Sequence, residues 1–192
     1  MSFPRLQLVV PTDSPADLAR FSSLITLAVF LTDLATKNWA LAMLGSGHAE
    51  FGLVALTVIE NDGLAFSAGA GSLTPLSVVA LRLGALAAVL GLAWRYGSSS
   101  LRFAVGFALV LGGGLGNASD TVFRDGVVDF ISTAPLIRAV AGSPTAEGFV
   151  MNLADIWILT GLALLYPLFR VLGKAAQRRF MDVESRILGR EW

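Results

Sequence analysis

The stretch Gly116-Asn117-Ala118-Ser119-Asp120-Thr121-Val122-Phe123-Arg124-Asp125-Gly126-Val127-Val128-Asp129-Phe130 closes a long apolar run and carries three aspartates. A second cluster, Met151-Asn152-Leu153-Ala154-Asp155, opens the next apolar run. If both runs cross a membrane, the chain reverses between them, and these two ends lie at one membrane face. Asp129 sits between Val127-Val128 and Phe130-Ile131, and Asp155 between Leu153-Ala154 and Ile156-Trp157-Ile158. A lone carboxylate in such an apolar segment is costly without a partner. Each of these two offers the other one.

The composition agrees with a bilayer. Of 192 residues 55% are hydrophobic and 15% charged, against about 25% charged in a soluble domain. The mean hydropathy is +0.70. No cysteine is present, which excludes a disulfide framework and thiolate chemistry. With the single histidine His48 and no C-x-x-C or H-E-x-x-H pattern, no metal and no cofactor are expected, and no nucleic-acid partner.

Working outward, four segments have the length and apolarity of spanning helices, at 21–44, 75–94, 101–117 and 149–172. Residues 1–20 lack the apolar core of a cleavable signal peptide and read as a short tail. The 45–74 segment, broken by glycines and carrying Leu53-Val54-Ala55-Leu56-Thr57-Val58-Ile59, reads as a small sheet. Residues 118–148 read as an outer loop or short helix over the site, and 173–192 as a basic tail. Gly112-x-x-x-Gly116 allows close helix approach, and Pro167 is placed to bend the last span. The expected fold is an all-α membrane protein of one domain, with four transmembrane helices and a small extracytoplasmic β-sheet.

Orientation follows from the basic residues. With the N-terminus inside, the inner flanks hold Arg5, Arg20, Arg95, Arg102, Arg170, Lys174, Arg178, Arg179, Arg186 and Arg190, and the outer side only Lys37, Arg124 and Arg138. Both termini are then cytoplasmic and the aspartate clusters face outward. Arg82, inside the second span, either snorkels to the surface or pairs with a carboxylate of the 60–62 loop.

On this topology Asp33, Asp120, Asp129 and Asp155 lie at or just below the outer surface. Two carboxylates brought together near low dielectric share one proton over a wide pH range. That state suits peptide hydrolysis: the ionised carboxylate takes a proton from water, and the protonated one polarises the carbonyl. Simpler roles compete for the neighbours. Asn117 and Asn152 could cap helix ends. Asp120 could neutralise Arg124, and Asp33 could neutralise Lys37, both at i,i+4. Asp125, beside a glycine, reads as solvated.

These motifs resemble those of signal peptidase II, the bacterial aspartic peptidase of prolipoproteins. Asp33-x-x-Thr36-Lys37 is similar to the family's D-x-x-[ST]-K block, and Asn61-x-Gly63-x-Ala65-Phe66-Ser67 to its N-x-G-x-[AS]-F-S block. Gly112-Gly113-Gly114-Leu115-Gly116-Asn117-x-x-Asp120 with Gly126-Val127-Val128-Asp129-Phe130, and Asn152-x-Ala154-Asp155, resemble the remaining two. The resemblance covers about residues 20–172. Three departures stand out: Thr121 replaces the arginine that usually follows Asp120, Met151 replaces a phenylalanine, and the 132–148 segment is long. Arg124 is a candidate for the missing charge.

The resemblance implies Asp129 and Asp155 as catalytic residues. Asn117, Asp120, Asn152, Asn61, Asp33, Lys37, Gly63 and Arg124 would support the pair or bind substrate. It also implies a monomer in the bacterial inner membrane, with lipid-modified prolipoproteins and membrane lipid as partners and the active site outside. Two alternatives remain: a catalytically silent lipoprotein-binding homologue, or a small proton-coupled carrier built on Asp33, Arg82, Asp129 and Asp155.

Overall fold

A computed structural model describes residues 14–61, 74–124 and 126–188. Arg5, Gly63, Ala65, Phe66, Ser67, Asp125 and Arg190, named above, lie outside the described residues.

Helix α1 runs Pro15–Leu44. Ser14 caps it by accepting the Asp17 N–H, with Pro15 in the first turn where its missing N–H costs nothing. Strands β1 (His48–Phe51) and β2 (Val54–Asn61) form a hairpin. Its turn needs Gly52, which has a positive φ of 64°. Helix α2 (Pro75–Tyr96) starts at a Thr74 cap, and a 3-10 turn, Gly97–Ser99, leads to α3 (Leu101–Phe123). Strand β3 (Val127–Ser132), the short helix α4 (Ala134–Ala141), strand β4 (Val150–Met151) and the long helix α5 (Leu153–Leu188) complete the chain.

The fold is the expected one: four helices long and apolar enough to cross a bilayer, with a small antiparallel sheet. The element ends are more extended than the hydropathy suggested. Helix α3 continues to Phe123, so Asp120 stands on its last turns rather than in a loop. Helix α5 continues past Pro167 to Leu188, taking in most of the segment read as a tail.

The four helices are not equivalent. Over half of the apolar window of α3 is buried, against less than a fifth in α1, α2 and α5. Helix α3 is the post against which the others stand, and three successive glycines explain how. Successive residues on a helix point about 100° apart. A Cβ on Gly112 would strike Val29 and the Thr26 carbonyl of α1. One on Gly113 would strike the Ala154 carbonyl of α5, and one on Gly114 the Leu86 side chain of α2. Each glycine lets one neighbour approach to backbone distance. Gly112 and Gly116 meet Val29 and Asp33 in turn, so the i,i+4 step on α3 matches the i,i+4 step on α1. At the far end from the sheet, Phe107 and Val110 of α3 pack with Leu165 and Leu168 of α5. The outward faces of α1, α2 and α5 carry exposed apolar side chains such as Leu24, Leu81 and Val171, as a lipid-facing surface requires.

The sheet, in the order β1-β2-β3-β4, closes one end of this bundle. Its register pairs Ile59 with Asp129 and Asn61 with Val127, with an irregularity between Leu56 and Ile59. Asn61 therefore sits diagonally across from Asp129 on the same face. Gly126 permits that approach, since a Cβ there would lie 3.0 Å from the Asn61 carbonyl.

Candidate active site

Five elements deliver polar side chains to the sheet end of α3. At its centre is the Lys37 ammonium, fully buried. It has three N–H donors and three acceptors around it: Asp33 Oδ2 at 2.7 Å, Asn117 Oδ1 at 2.8 Å and Asp120 Oδ2 at 2.9 Å. Asp120 Oδ1 in turn meets Arg124 Nε at 3.1 Å, and Arg124 reaches Asn38 Oδ1 at 2.8 Å. Two cations and two carboxylates balance, which a cluster at this depth needs. Asp33 uses its other oxygen to accept the Ala154 N–H at 2.9 Å, fixing the start of α5 against α1. Asp120 Oδ2 also accepts the Val128 N–H at 3.3 Å and so holds β3. The i,i+4 pairs read from the sequence both form, but as parts of one network joining α1, α3, β3 and α5.

The network determines how the asparagines point. Asn117 Oδ1 faces two donors, Lys37 Nζ and Asn152 Nδ2 (3.0 Å), so its amide nitrogen turns to Asp155 Oδ1 at 3.0 Å. Asn152 caps α5, its Oδ1 accepting the Asp155 N–H at 3.1 Å. Asp155 Oδ2 accepts the Asn152 N–H at 3.1 Å in return. This is a capping box with aspartate at its third position. The Asn152 Nδ2 is then free of the cap and donates to Asp129 Oδ1 at 2.7 Å. One asparagine therefore contacts both carboxylates. Asn61 Nδ2 donates to the second oxygen of Asp129 at 3.1 Å.

The two aspartates differ in surroundings. Asp129 is 3% exposed and Asp155 half-buried. Burial pushes the Asp129 carboxyl up to about 6, with the nearby Asp155 charge adding to the rise. Hydrogen bonds from Asn61 and Asn152 and the Lys37 charge act against it. Asp129 is thus the member of the pair suited to carry a proton.

Both carboxylates line a cavity of about 400 Å³ between α2, α3 and α5. Asn61 and Asn117 flank them at its polar end. The rest is apolar, with Leu86, Val89, Ile158, Leu159 and Leu162 among its walls. Arg82 of α2 also lines it, its Nη1 against Thr121 Oγ1 and 3.4 Å from the Asn117 carbonyl. Arg124 belongs to the Asp120 cluster instead. Among the described residues no group of three or more acidic or histidine side chains is placed to hold a metal ion.

Of the residues named from sequence, the structure gathers Asn61, Asn117, Asp129 and Asp155 around the cavity, with the fully buried Asn152 bonded to Asp129 and Asn117. It sets Asp33, Lys37, Asp120 and Arg124 behind them as support. Sequence reasoning assigned no role to Thr121 beyond a departure, and left Arg82 undecided. The signal for Arg82 was its isolation, as the one charge between Pro75 and Trp94.

Known proteins resemble this chain over most of its length. The family described as signal peptidase (SPase) II matches residues 25–170. The lipoprotein signal peptidase of Nitrobacter hamburgensis is 32% identical over 150 residues, covering 74% of this chain and 88% of that protein. That of Leifsonia xyli subsp. xyli is 35% identical over 168 residues, covering 82% and 70%. Two solved structures of bacterial membrane enzymes share the fold with a TM-score of 0.63 each. They are 24% and 22% identical, covering 79% and 78% of this chain and 88% and 92% of theirs.

Proposed function

Because the chain belongs to the signal peptidase II family, we propose that it removes the signal peptide from diacylglyceryl-modified prolipoproteins, with Asp129 and Asp155 as an aspartic dyad. The observation that carries this reading is Asn152, whose amide contacts Asp129 while its cap holds Asp155. Two carboxylates held by one residue, Asp129 by the Asn152 side chain and Asp155 by its backbone N–H, at the mouth of an apolar cavity can share a proton and a water molecule.

In the proposed reaction the ionised Asp155 takes a proton from the water as its oxygen attacks the scissile carbonyl carbon. Asp129, protonated, donates to the carbonyl oxygen as negative charge develops there. The tetrahedral intermediate then collapses: Asp129 takes its proton back from the hydroxyl, the C–N bond breaks, and the proton held by Asp155 passes to the leaving amine. The hydrogen bonds from Asn61, Asn117 and Asn152 hold both carboxylates in position through the cycle. The apolar walls below the dyad would take the acyl chains, and the sheet would lie beside the polypeptide.

Basic residues crowd the end of the bundle opposite the sheet, as with Arg95, Arg102, Arg170 and Lys174. That bias supports cytoplasmic termini and a dyad at the outer face of the bacterial inner membrane. The test is cleavage of a diacylglyceryl-modified prolipoprotein by purified wild-type protein and by Asp129→Asn and Asp155→Asn variants that still insert. Loss of product in both variants supports the dyad. Wild-type rates in either one remove it, and binding without turnover by the wild type would favour the silent-homologue alternative.

A further inference from the structure

In place of the monomer expected from the resemblance, we propose that two copies of this chain pair through the end of α5 as a parallel two-stranded coiled coil. The inference does not rest on the peptidase reading. The 36 residues of α5 run about 54 Å, where the hydrocarbon of a bilayer takes about 30 Å. About four turns from Gly173 onward therefore stand clear of the membrane, and every residue from 173 to 183 is exposed. A helix of that length is marginal in water unless an apolar side is packed against something. This one leaves Phe180 68% and Val183 52% exposed.

The spacing selects the partner. Gly173, Ala176, Phe180 and Val183 step by three and four residues in turn, and the sequence repeats the step at Ile187. These are the alternating a and d positions of a heptad, the seam of a coiled coil. Lys174, Arg178 and Asp182 fall at b, f and c, on the opposite side. A Cβ on Gly173 would meet nothing of this chain within 4 Å; with Ala176 it lets two helices start close together where they leave the bilayer. The flanking charges fix the direction of the partner. Arg179 is a g position, and Glu184 is the e position that follows it. In a parallel pair each g position faces the following e position of the other helix, so Arg179 meets Glu184 of the partner subunit. The sequence repeats this spacing at Arg186 and Glu191. Copies inserted in one membrane point the same way, so the parallel arrangement is the one open to them, and it is the one the charges match. Confinement to the membrane also raises the effective concentration, so a short seam is enough.

The chain has no cysteine, so single introduced cysteines report the contact directly. The full-length protein is oxidised in lipid vesicles. Ala176→Cys and Val183→Cys, both at d, should give about 10-fold more disulfide-linked dimer than Arg178→Cys and Asp182→Cys, which lie too far apart across the pair. The excess should persist when the vesicles are diluted with lipid. Glu184→Arg should lower the Val183→Cys yield by about 3- to 10-fold, as two exposed ion pairs become repulsions. Adding Arg179→Glu to it should restore the yield. Equal yields at all four positions, or yields that fall in proportion to lipid dilution, mean chance collision and overturn the proposal. A Val183→Cys protein that stays unlinked and shielded from a water-soluble maleimide overturns it too, by placing the helix on the lipid surface. Mass photometry of the wild-type protein in nanodiscs formed with excess lipid decides even if the variants fail to insert: two copies per disc are expected, and one copy overturns the pairing. No substrate enters these measurements, so their outcome stands apart from that of the peptidase test.

Discussion

Lys37 Nζ on α1 lies 2.8 Å from Asn117 Oδ1 on α3, and this contact decides which way the Asn117 amide faces. With its oxygen engaged by an ammonium, the amide nitrogen is left to donate to Asp155 Oδ1. Asn117→Asp replaces that donor with an oxygen and sets a carboxylate beside Asp155. We expect kcat to fall by about 10²-fold or more, the usual cost of losing a positioned donor. Asn117→Ala should lose activity as well, but with a smaller change in the pH profile, because it adds no charge. Steady-state kinetics on a lipidated peptide, measured across pH, separates the two.

Lys37→Met removes the cation on which Asp33, Asp120 and Asn117 converge. Breaking a buried ion pair from one side costs about 3–5 kcal/mol, and here two carboxylates lose their partner together. The variant is expected to unfold at markedly lower temperature, or to fail to accumulate in membranes. A melting temperature within a few degrees of wild type would show that the cluster tolerates an uncompensated charge.

The pH dependence has a sign that follows from Asp129. Burial pushes its carboxyl up to about 6, so the proton the proposed dyad needs is present below that value and lost as pH rises through it. The kcat/KM profile should therefore fall on its alkaline side from about 6. The kcat profile should fall at higher pH, because substrate in the cavity excludes water and further disfavours the charged form. The Asn61 hydrogen bond holds the Asp129 value down. Asn61→Ala is thus expected to move the kcat/KM limb toward higher pH, and movement toward lower pH would contradict the assignment of the proton to Asp129.

Gly116 lies against Asp33, where an added Cβ would collide with the carboxylate that holds Lys37 and the start of α5. Gly116→Ala should disrupt both folding and activity. Gly84 and Gly91 on α2 face open space, and alanine at either should be neutral. Expression and melting temperature of the three variants give the comparison. A well-folded Gly116→Ala protein would mean that α1 can retreat from α3 without loss.

Much of the fold was legible because hydropathy alone marks spans, and the chain reversal alone puts Asp129 and Asp155 at one end. The i,i+4 pairs were legible too, since helical spacing is local. Their fusion was not. Nothing local connects Lys37 to Asn117 and Asp120, about eighty residues on, until Gly112 and Gly116 bring α1 against α3. Strand β4 escaped for a different reason. It is two residues long and carries no alternation to read. The direction of Arg82 depended on the packing of α2 against α3, which an isolated charge in an apolar run does not encode.

Asn152 combines two functions that substitution can separate. Its Oδ1 caps α5 at the Asp155 N–H, and its Nδ2 binds Asp129 and Asn117. Serine is as good an N-cap as asparagine but has no amide to send across to Asp129. Asn152→Ser should therefore retain most of the wild-type thermal stability while losing about 10²-fold or more in kcat. Asn152→Ala loses the cap too, and should be further destabilised by about 1 kcal/mol, with activity no better than the serine variant. If serine restores both stability and turnover relative to alanine, the cap alone is what the site needs, and Asp129 does not depend on the bridge. If stability returns and turnover does not, the Nδ2 contact to Asp129 and Asn117 is required for the chemistry itself.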